Sequence, residues 1–251
     1  MDKKHTTWIE RQVRSFLAAL RFLTIIPVAK GAELDGDYFK QSLLFFPIIG
    51  IILGTVGSLL TLLLQLFLPQ PVVVCLLISY LAFISGCLHL DGLSDTGDGL
   101  LSSRPRERSM EIMKDSRVGA MGVIVTIALM LTKYSALISV DPGLLPLTIF
   151  FMPFAGRVAI LCTMAMLPYA RSEGGLGILF YSRSVKRFAL LGVVLLVVGL
   201  ALFSIAQLFV VLFFMILVLF SFNYWCKCKI GGATGDTLGA NCELAEMAVA
   251  L

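Results

Sequence analysis

The sequence predicts an all-α integral membrane protein, a polytopic helix bundle with about six transmembrane helices in a single membrane domain, residues 1–251. Hydrophobic residues make up 58% of the chain and charged residues only 14%, a balance that soluble domains do not need. The apolar residues form long runs, each near the roughly 20 residues that cross a bilayer core. Lysine and arginine are concentrated in alternate loops, as is typical of multi-pass membrane proteins.

Residues 8–28 are expected to form an N-terminal interfacial helix. Arg11, Arg14 and Arg21 share one helical face, and the apolar run from Phe16 is too short to span and is interrupted by Arg21. Pro27 helps to end this helix. We expect no signal peptide, because no small-residue cleavage site follows this run.

Six transmembrane helices are expected to follow. The unbroken run 188–226 is too long for one crossing, so we divide it near Ser204. A final segment, 237–251, has helical composition but is short and carries two acids, so it is expected to pack against the bundle as a short C-terminal helix. The expected spans are 42–68, 72–90, 118–139, 145–168, 188–204 and 207–226.

The positive-inside rule orients this bundle. Of the 20 lysine and arginine residues, 18 lie in the segments 1–41, 102–117, 169–187 and 227–236. These segments are therefore expected to be cytoplasmic, which places both termini in the cytoplasm and leaves three short outward hairpins.

An acidic stretch, His-Leu-Asp-Gly-Leu-Ser-Asp-Thr-Gly-Asp-Gly at 89–99, is the most informative motif. If the second span continues through it, Asp91, Asp95 and Asp98 share one helical face. Like charges at that spacing repel, and a hard divalent cation that takes carboxylate oxygens would neutralise them. The three glycines of the motif lower helix propensity and suit the close approach of a ligand. The alternative is a solvated helix end with a glycine cap.

Three further polar segments fall on the same predicted side: 104–117, 168–177 and 231–240. Their arginines suit anions, and glycine-rich backbone beside a helix start can cradle phosphate. A second acid set consists of Asp236, Glu243 and Glu246. For Asp236 the alternative is a helix start stabilised by an acid near the positive end of the helix dipole.

Two basic residues lie inside expected spans. Arg157 is in mid-span, where its cost predicts a functional role or a pairing with an intramembrane acid. Lys133 is nearer the outer end of its span and is expected to snorkel to the interface as a structural residue. The six cysteines are expected to be free thiols, because Cys226 and Cys228 have no second pair for zinc.

These patterns predict a metal-dependent membrane transferase that acts on a phosphorylated or diphosphate substrate. A divalent-cation transporter is the alternative from another class, but it would need acids near mid-membrane and access from both faces. Membrane CDP-alcohol phosphotransferases and prenyltransferases are the nearest rival enzymes. The spacing here, D-x-x-x-D-x-x-D, differs from the D-x-x-D-G of the CDP-alcohol enzymes. The prenyltransferases share D-x-x-x-D, but their second motif is aspartate-rich, unlike Gly-Gly-Ala-Thr-Gly-Asp here.

Four ordered segments resemble the cobalamin (5′-phosphate) synthase family, the adenosylcobinamide-GDP ribazoletransferases. They are the acidic motif, Glu-Ile-Met-Lys-Asp-Ser-Arg-Val-Gly at 111–119, Pro-Tyr-Ala-Arg at 168–171 and Gly-Gly-Ala-Thr-Gly-Asp-Thr-Leu-Gly-Ala at 231–240. The resemblance implies a Mg²⁺-dependent enzyme of the bacterial inner membrane. It joins adenosylcobinamide-GDP to α-ribazole or α-ribazole 5′-phosphate and releases GMP.

The resemblance also implies roles for individual residues. Asp91, Asp95 and Asp98 would bind metal and act in catalysis, and Asp236, Glu243 and Glu246 would form a second metal or base set. His89 is either a base or a hydrogen-bonded core residue. The residues expected to bind substrate are Lys114, Asp115, Arg117, Arg157, Arg171, Gly232, Thr234 and Gly235. The lipid bilayer is an expected partner, nucleic acid is not, and a homo-oligomer is left open.

Overall fold

The computed structural model describes residues 7–28, 36–171, 180–182 and 184–251, and in these residues it contains helices and no strand. The predicted all-α class is confirmed. A 3₁₀ turn, Leu43–Phe45, joins the second and third helices. The helices are α1 Trp8–Leu23, α2 Gly36–Ser42, α3 Phe46–Leu64, α4 Gln70–Ile84, α5 Leu88–Leu100, α6 Arg106–Ile112, α7 Ala120–Ser139, α8 Leu145–Met166, α9 Val185–Phe203, α10 Ile205–Ile230 and α11 Gly235–Ala250.

Among the described residues, five helical stretches are long and apolar enough to cross a membrane: Tyr38–Leu64, α7, α8, α9 and α10. The pair α4 and α5 makes a sixth if the two are counted as one bent span. This agrees with the expected six and with a multi-pass membrane protein. The predicted break between the last two spans is also present, because Ser204 is extended and separates α9 from α10.

The predicted second span, 72–90, is wrong as one continuous helix. Gly86 and Cys87 both adopt a positive φ, 61° and 57°, and α5 leaves this turn at 86° to α4. A left-handed conformation interrupts the helix, and glycine accepts it most readily. The amide of Ile25 donates to the carbonyl of Ile84 at 2.9 Å, which attaches the chain after α1 to the turn. The acidic motif therefore lies on its own helix, which crosses the end of α4.

The first helix also ends earlier than expected, at Leu23 rather than residue 28. Thr7 and Glu10 form a capping box at its start, which satisfies backbone donors there. At its other end Thr24 is extended, and its hydroxyl donates to the carbonyl of Leu20. The helix stops five residues before Val28.

The centre of the bundle is α8, whose side chains are buried along most of its length. Glycines on α3 allow the closest approach to it. A Cβ at Gly50 would lie 2.7 Å from the Cα of Phe154, and one at Gly54 would collide with the carbonyl of Phe150. Backbone contact of this kind requires small residues, as is common between membrane helices.

The last helix, α11, is buried among α5, α7, α8 and α10. It starts beside α5, and its end lies with Asp141 and Gln207 of the two hairpins predicted to face outward. Sixteen residues rise about 24 Å, so α11 runs most of the depth of the bundle. Leu251 therefore lies at the end of the bundle opposite the acidic motif, and the cytoplasmic location of the C-terminal end stays a prediction.

Candidate active site

The three aspartates of α5 are not equivalent. Asp91 is exposed and Asp95 is half-buried, and neither carboxylate has a hydrogen-bond or ion-pair partner among the described residues. Asp91, Asp98 and Asp236 all lie close enough to Asp95 to repel its negative charge, and Arg171 attracts it. Negative charge is therefore concentrated here, and the carboxylates of Asp91 and Asp95 have room for a cation.

Asp98 caps the start of α7. Its two oxygens accept hydrogen bonds from the amides of Gly119 and Gly122, at 2.7 and 2.8 Å. A carboxylate is favourable at a helix N-terminus, where free amides and the helix dipole meet it. A Cβ at either glycine would collide with this carboxylate. Asp98 therefore links α5 to α7, and its carboxylate explains why residues 119 and 122 are glycines without a Cβ.

The start of α11 brings Asp236 to the same place. Thr234 forms a capping box with Thr237, and its hydroxyl donates to Asp236 at 3.2 Å. Arg171 pairs with Asp236 at 2.6 Å. A Cβ at Gly92 would lie 2.7 Å from the carbonyl of Asp236, so α5 and α11 are in backbone contact here. Burial raises the pKa of Asp236 above its ordinary value, and the Arg171 guanidinium opposes this effect.

Two backbone hydrogen bonds hold Arg171 in register with α11. The amide of Ala170 donates to the carbonyl of Ala233 at 2.8 Å, and the amide of Ala233 donates to the carbonyl of Pro168 at 2.9 Å. Gly232 is required here because a Cβ would collide with that same Pro168 carbonyl. Gly235 is different, since a Cβ there would meet nothing within 4 Å, which leaves the helix start open to a ligand.

A cavity of about 220 Å³ lies between these elements. Its polar wall contains Asp91, His89, Arg171 and Asp236, and its apolar wall contains aromatic and aliphatic side chains from α1, α3, α8 and α11 and the side chain of Phe180. The structure therefore brings His89, Asp91, Arg171, Gly235 and Asp236 together around one space, as the sequence predicts for a common site.

Glu243 and Glu246 lie deeper, in a buried ion-pair network. Lys133 contacts Glu243 at 2.7 Å and Glu246 at 2.9 Å, and Arg157 contacts Glu246 at 2.6 Å. The four side chains are at most 6% exposed. The expectation that Lys133 snorkels to the interface is wrong, because its ammonium group is enclosed between two glutamates. The predicted pairing of Arg157 with an intramembrane acid is present.

The loop residues Lys114, Asp115 and Arg117 lie outside the cavity wall. Arg117 is 87% exposed and pairs with Asp115 at 2.7 Å, which lowers the pKa of Asp115 to about 2. Sequence reasoning did not single out Lys133, Tyr169 or Phe180 as site residues. The sequence does mark Lys133, because it is a charged residue inside an apolar run. Nothing in the local sequence distinguishes Phe180 as a site residue from the other phenylalanines, of which the chain has 18 in all.

The described residues contain no cluster of three or more His, Cys, Asp or Glu side chains placed to hold a metal by themselves. Mg²⁺ does not require one, because it is usually bound by one or two carboxylates together with substrate phosphates and water. Two unpartnered carboxylates, Asp91 and Asp95, with Asp236 opposite, fit that mode of binding.

The apolar helices and this site together define a helical membrane protein with a carboxylate-lined cavity at one end, suited to a phosphorylated ligand. The profile of the cobalamin-5-phosphate synthase family matches residues 15–251. The chain belongs to this family.

Curated relatives carry the name adenosylcobinamide-GDP ribazoletransferase. That of Clostridium acetobutylicum is 35% identical over 232 residues, 92% of each chain. That of Acetivibrio thermocellus is 35% identical over 235 residues, 93% of this chain and 94% of the relative. The protein from Clostridium botulinum strain Langeland is also 35% identical, over 94% and 95% of the two chains. No solved structure matches the chain.

Proposed function

We propose that this protein transfers α-ribazole, or its 5′-phosphate, onto adenosylcobinamide-GDP. Family membership and the names of the relatives indicate this final assembly step of adenosylcobalamin. The ribazole 3′-hydroxyl attacks the phosphorus nearer the cobinamide, the bond to GMP breaks, and the products are adenosylcobalamin or its 5′-phosphate and GMP.

The observation that carries this proposal is the meeting of α5 and α11 at the cavity. Asp91 lines the cavity together with the Arg171–Asp236 pair, and Asp95 lies close enough to interact electrostatically with both partners of that pair. The buried Nε of Arg171 has no hydrogen-bond partner among the described residues. An arginine can hold two phosphate oxygens at once. Arg171 is therefore suited to bind the diphosphate, while Asp236 orients the arginine side chain.

Magnesium is the metal that we propose for this site, held by Asp91 and Asp95. When bound, Mg²⁺ neutralises phosphate oxygens and stabilises the leaving group. Asp98 and the two buried glutamates act in this proposal by positioning helices, because their oxygens already bind backbone amides, Lys133 and Arg157. Lys114 and Arg117, which are exposed, are proposed to attract the anionic substrate.

We place the chain in the bacterial inner membrane as one membrane domain, with the cavity end and the N-terminus in the cytoplasm. The distribution of basic residues supports this orientation. The lipid bilayer surrounds the apolar helices. Association into a homo-oligomer stays a prediction.

The test is GMP release by the purified protein in detergent, from adenosylcobinamide-GDP and α-ribazole. We expect release that requires both substrates and added Mg²⁺, and that stops when the ion is chelated. A transporter needs a sealed vesicle, whereas this reaction does not. Absence of GMP release with both substrates and Mg²⁺ present would contradict the proposed function.

A further inference from the structure

The cavity beside α5 has two chemically different sides. One side is polar and contains Asp91, Arg171 and Asp236. The other is apolar and is formed by side chains from five parts of the chain: Phe22, Phe46, Ile160, Met164, Phe180 and Leu238. Diphosphate chemistry uses the polar side, which leaves the apolar side available to another part of a ligand.

Three phenylalanines of the apolar side are packed on one another. The ring of Phe180 lies 4.7 Å from that of Phe22 and 5.9 Å from that of Phe46, between centroids. Phe46 and Phe180 are 1% and 3% exposed, and each ring is fixed by its neighbours. Rigid aromatic surface of this kind binds flat aromatic ligands by stacked or edge-to-face contacts.

His89 provides a polar group at the same cavity. Its side chain is 3% exposed, and its Nε2 atom is buried without a hydrogen-bond partner among the described residues. A buried polar atom without a hydrogen-bond partner is destabilising. A ligand that brings a hydrogen-bonding group to this atom would satisfy it, and the Nε of Arg171, also unpartnered among the described residues, lies in the lining of the same cavity.

We propose that this cavity binds the nucleoside acceptor, with the aromatic base of α-ribazole against Phe22, Phe46 and Phe180 and a polar group of the nucleoside on His89. This inference rests on the proposed function. A volume of about 220 Å³ is below the roughly 300–1,000 Å³ of pockets that enclose drug-sized ligands. It suits a bicyclic base and is too small to enclose a corrin. Seated there, the nucleoside has its sugar directed toward Asp91 and Asp236, where the phosphorus is attacked.

The first test replaces the ring of Phe180 and keeps its apolar character. Phe180→Leu should raise KM for α-ribazole at least tenfold, while kcat and KM for adenosylcobinamide-GDP change less than twofold. The matched control is Phe151→Leu, because Phe151 is also buried and also contacts other aromatic rings, but it lies at the far end of the bundle. It should change neither KM. A selective effect on adenosylcobinamide-GDP would overturn the assignment.

Binding of α-ribazole alone, measured by calorimetry on the full chain in detergent, separates this inference from the proposed function. We expect binding that Phe180→Leu weakens at least tenfold and Phe151→Leu leaves unchanged. Failure of α-ribazole to bind the wild-type chain overturns the inference. Normal binding without GMP release overturns only the proposed function.

A measurement on the wild-type protein covers the case in which Phe180→Leu does not fold. The free base of α-ribazole should inhibit GMP release competitively against α-ribazole and not against adenosylcobinamide-GDP. His89→Leu should raise KM for α-ribazole with little change in kcat, which distinguishes a binding role from that of a general base. Competition against adenosylcobinamide-GDP, or no inhibition, would refute the site.

Discussion

Three aspartates on one face of the same helix have different roles in this protein. The carboxylate of Asp98 accepts hydrogen bonds from two backbone amides at the start of α7. The carboxylates of Asp91 and Asp95 have no hydrogen-bond or ion-pair partner among the described residues. Spacing along the helix places all three on one face, but the neighbouring helix start decides which of them is already neutralised. A variant at Asp95 and a variant at Asp98 should therefore fail for different reasons.

Asp95→Asn should lower kcat/KM for GMP release at least hundredfold, or about 2.7 kcal/mol, with unchanged expression and melting temperature. The amide removes one negative charge from the proposed metal site, and relief of repulsion from its acidic neighbours offsets any loss of stability. The measurement is GMP release at a series of Mg²⁺ concentrations. Glu107→Gln is the control, because Glu107 is exposed on α6. Wild-type activity of Asp95→Asn at limiting Mg²⁺ would remove Asp95 from the site.

At the scale of elements, α11 is joined to its neighbours by charge as well as by apolar packing. The carboxylate of Glu246 forms ion pairs with Lys133 of α7 and Arg157 of α8. The network contains two cations and two anions and is almost fully buried, so its charges balance without water. Because Asp236 lies on the same helix, this network also fixes where the start of α11 meets α5.

Glu246→Gln should destabilise the protein by about 3–5 kcal/mol, because removing one partner leaves the others as uncompensated buried charge. Thermal unfolding in detergent measures the loss. The double variant Glu246→Gln with Arg157→Gln is the control. It restores charge balance and keeps the contact of Lys133 with Glu243, so it should recover part of the stability. An unchanged melting temperature for Glu246→Gln alone would contradict the network's role.

Across the whole molecule, polar chemistry is concentrated at one end. The cavity with Asp91 and Asp236 lies at the start of α11, and Leu251 lies at its far end beside Asp141 and Gln207. The two ends of α11 therefore lie at opposite ends of the bundle, although α11 is not among the described helices that are long and apolar enough to cross a membrane.

Reporter fusions test this arrangement. A reporter at Leu251 should report the same side as one at Asp141, and both should report the side opposite to one at Arg106. The physical reason is that α11 runs the depth of the bundle against α8. Thiol labelling of the variants Arg106→Cys and Asp141→Cys gives an independent control of orientation. A reporter at Leu251 that agrees with Arg106 would support the cytoplasmic C-terminal end predicted from loop charges.

Sequence alone was sufficient for the features that depend on local composition. Long apolar runs predict the crossing helices, because a bilayer core demands about 20 apolar residues per helix. The break at Ser204 and the four polar segments were equally visible. The common location of Asp91, Arg171 and Asp236 followed from their placement on one predicted side of the membrane.

Only the tertiary structure decided how these elements meet. The turn at Gly86 and Cys87 depends on two positive φ angles and on the contact with Ile25, which no periodicity reveals. Lys133 has its role because two glutamates more than 100 residues later come within hydrogen-bond distance. Hydropathy reports the preference of each residue for water or lipid. It does not report which distant residue supplies the opposite charge, the backbone amide or the aromatic wall.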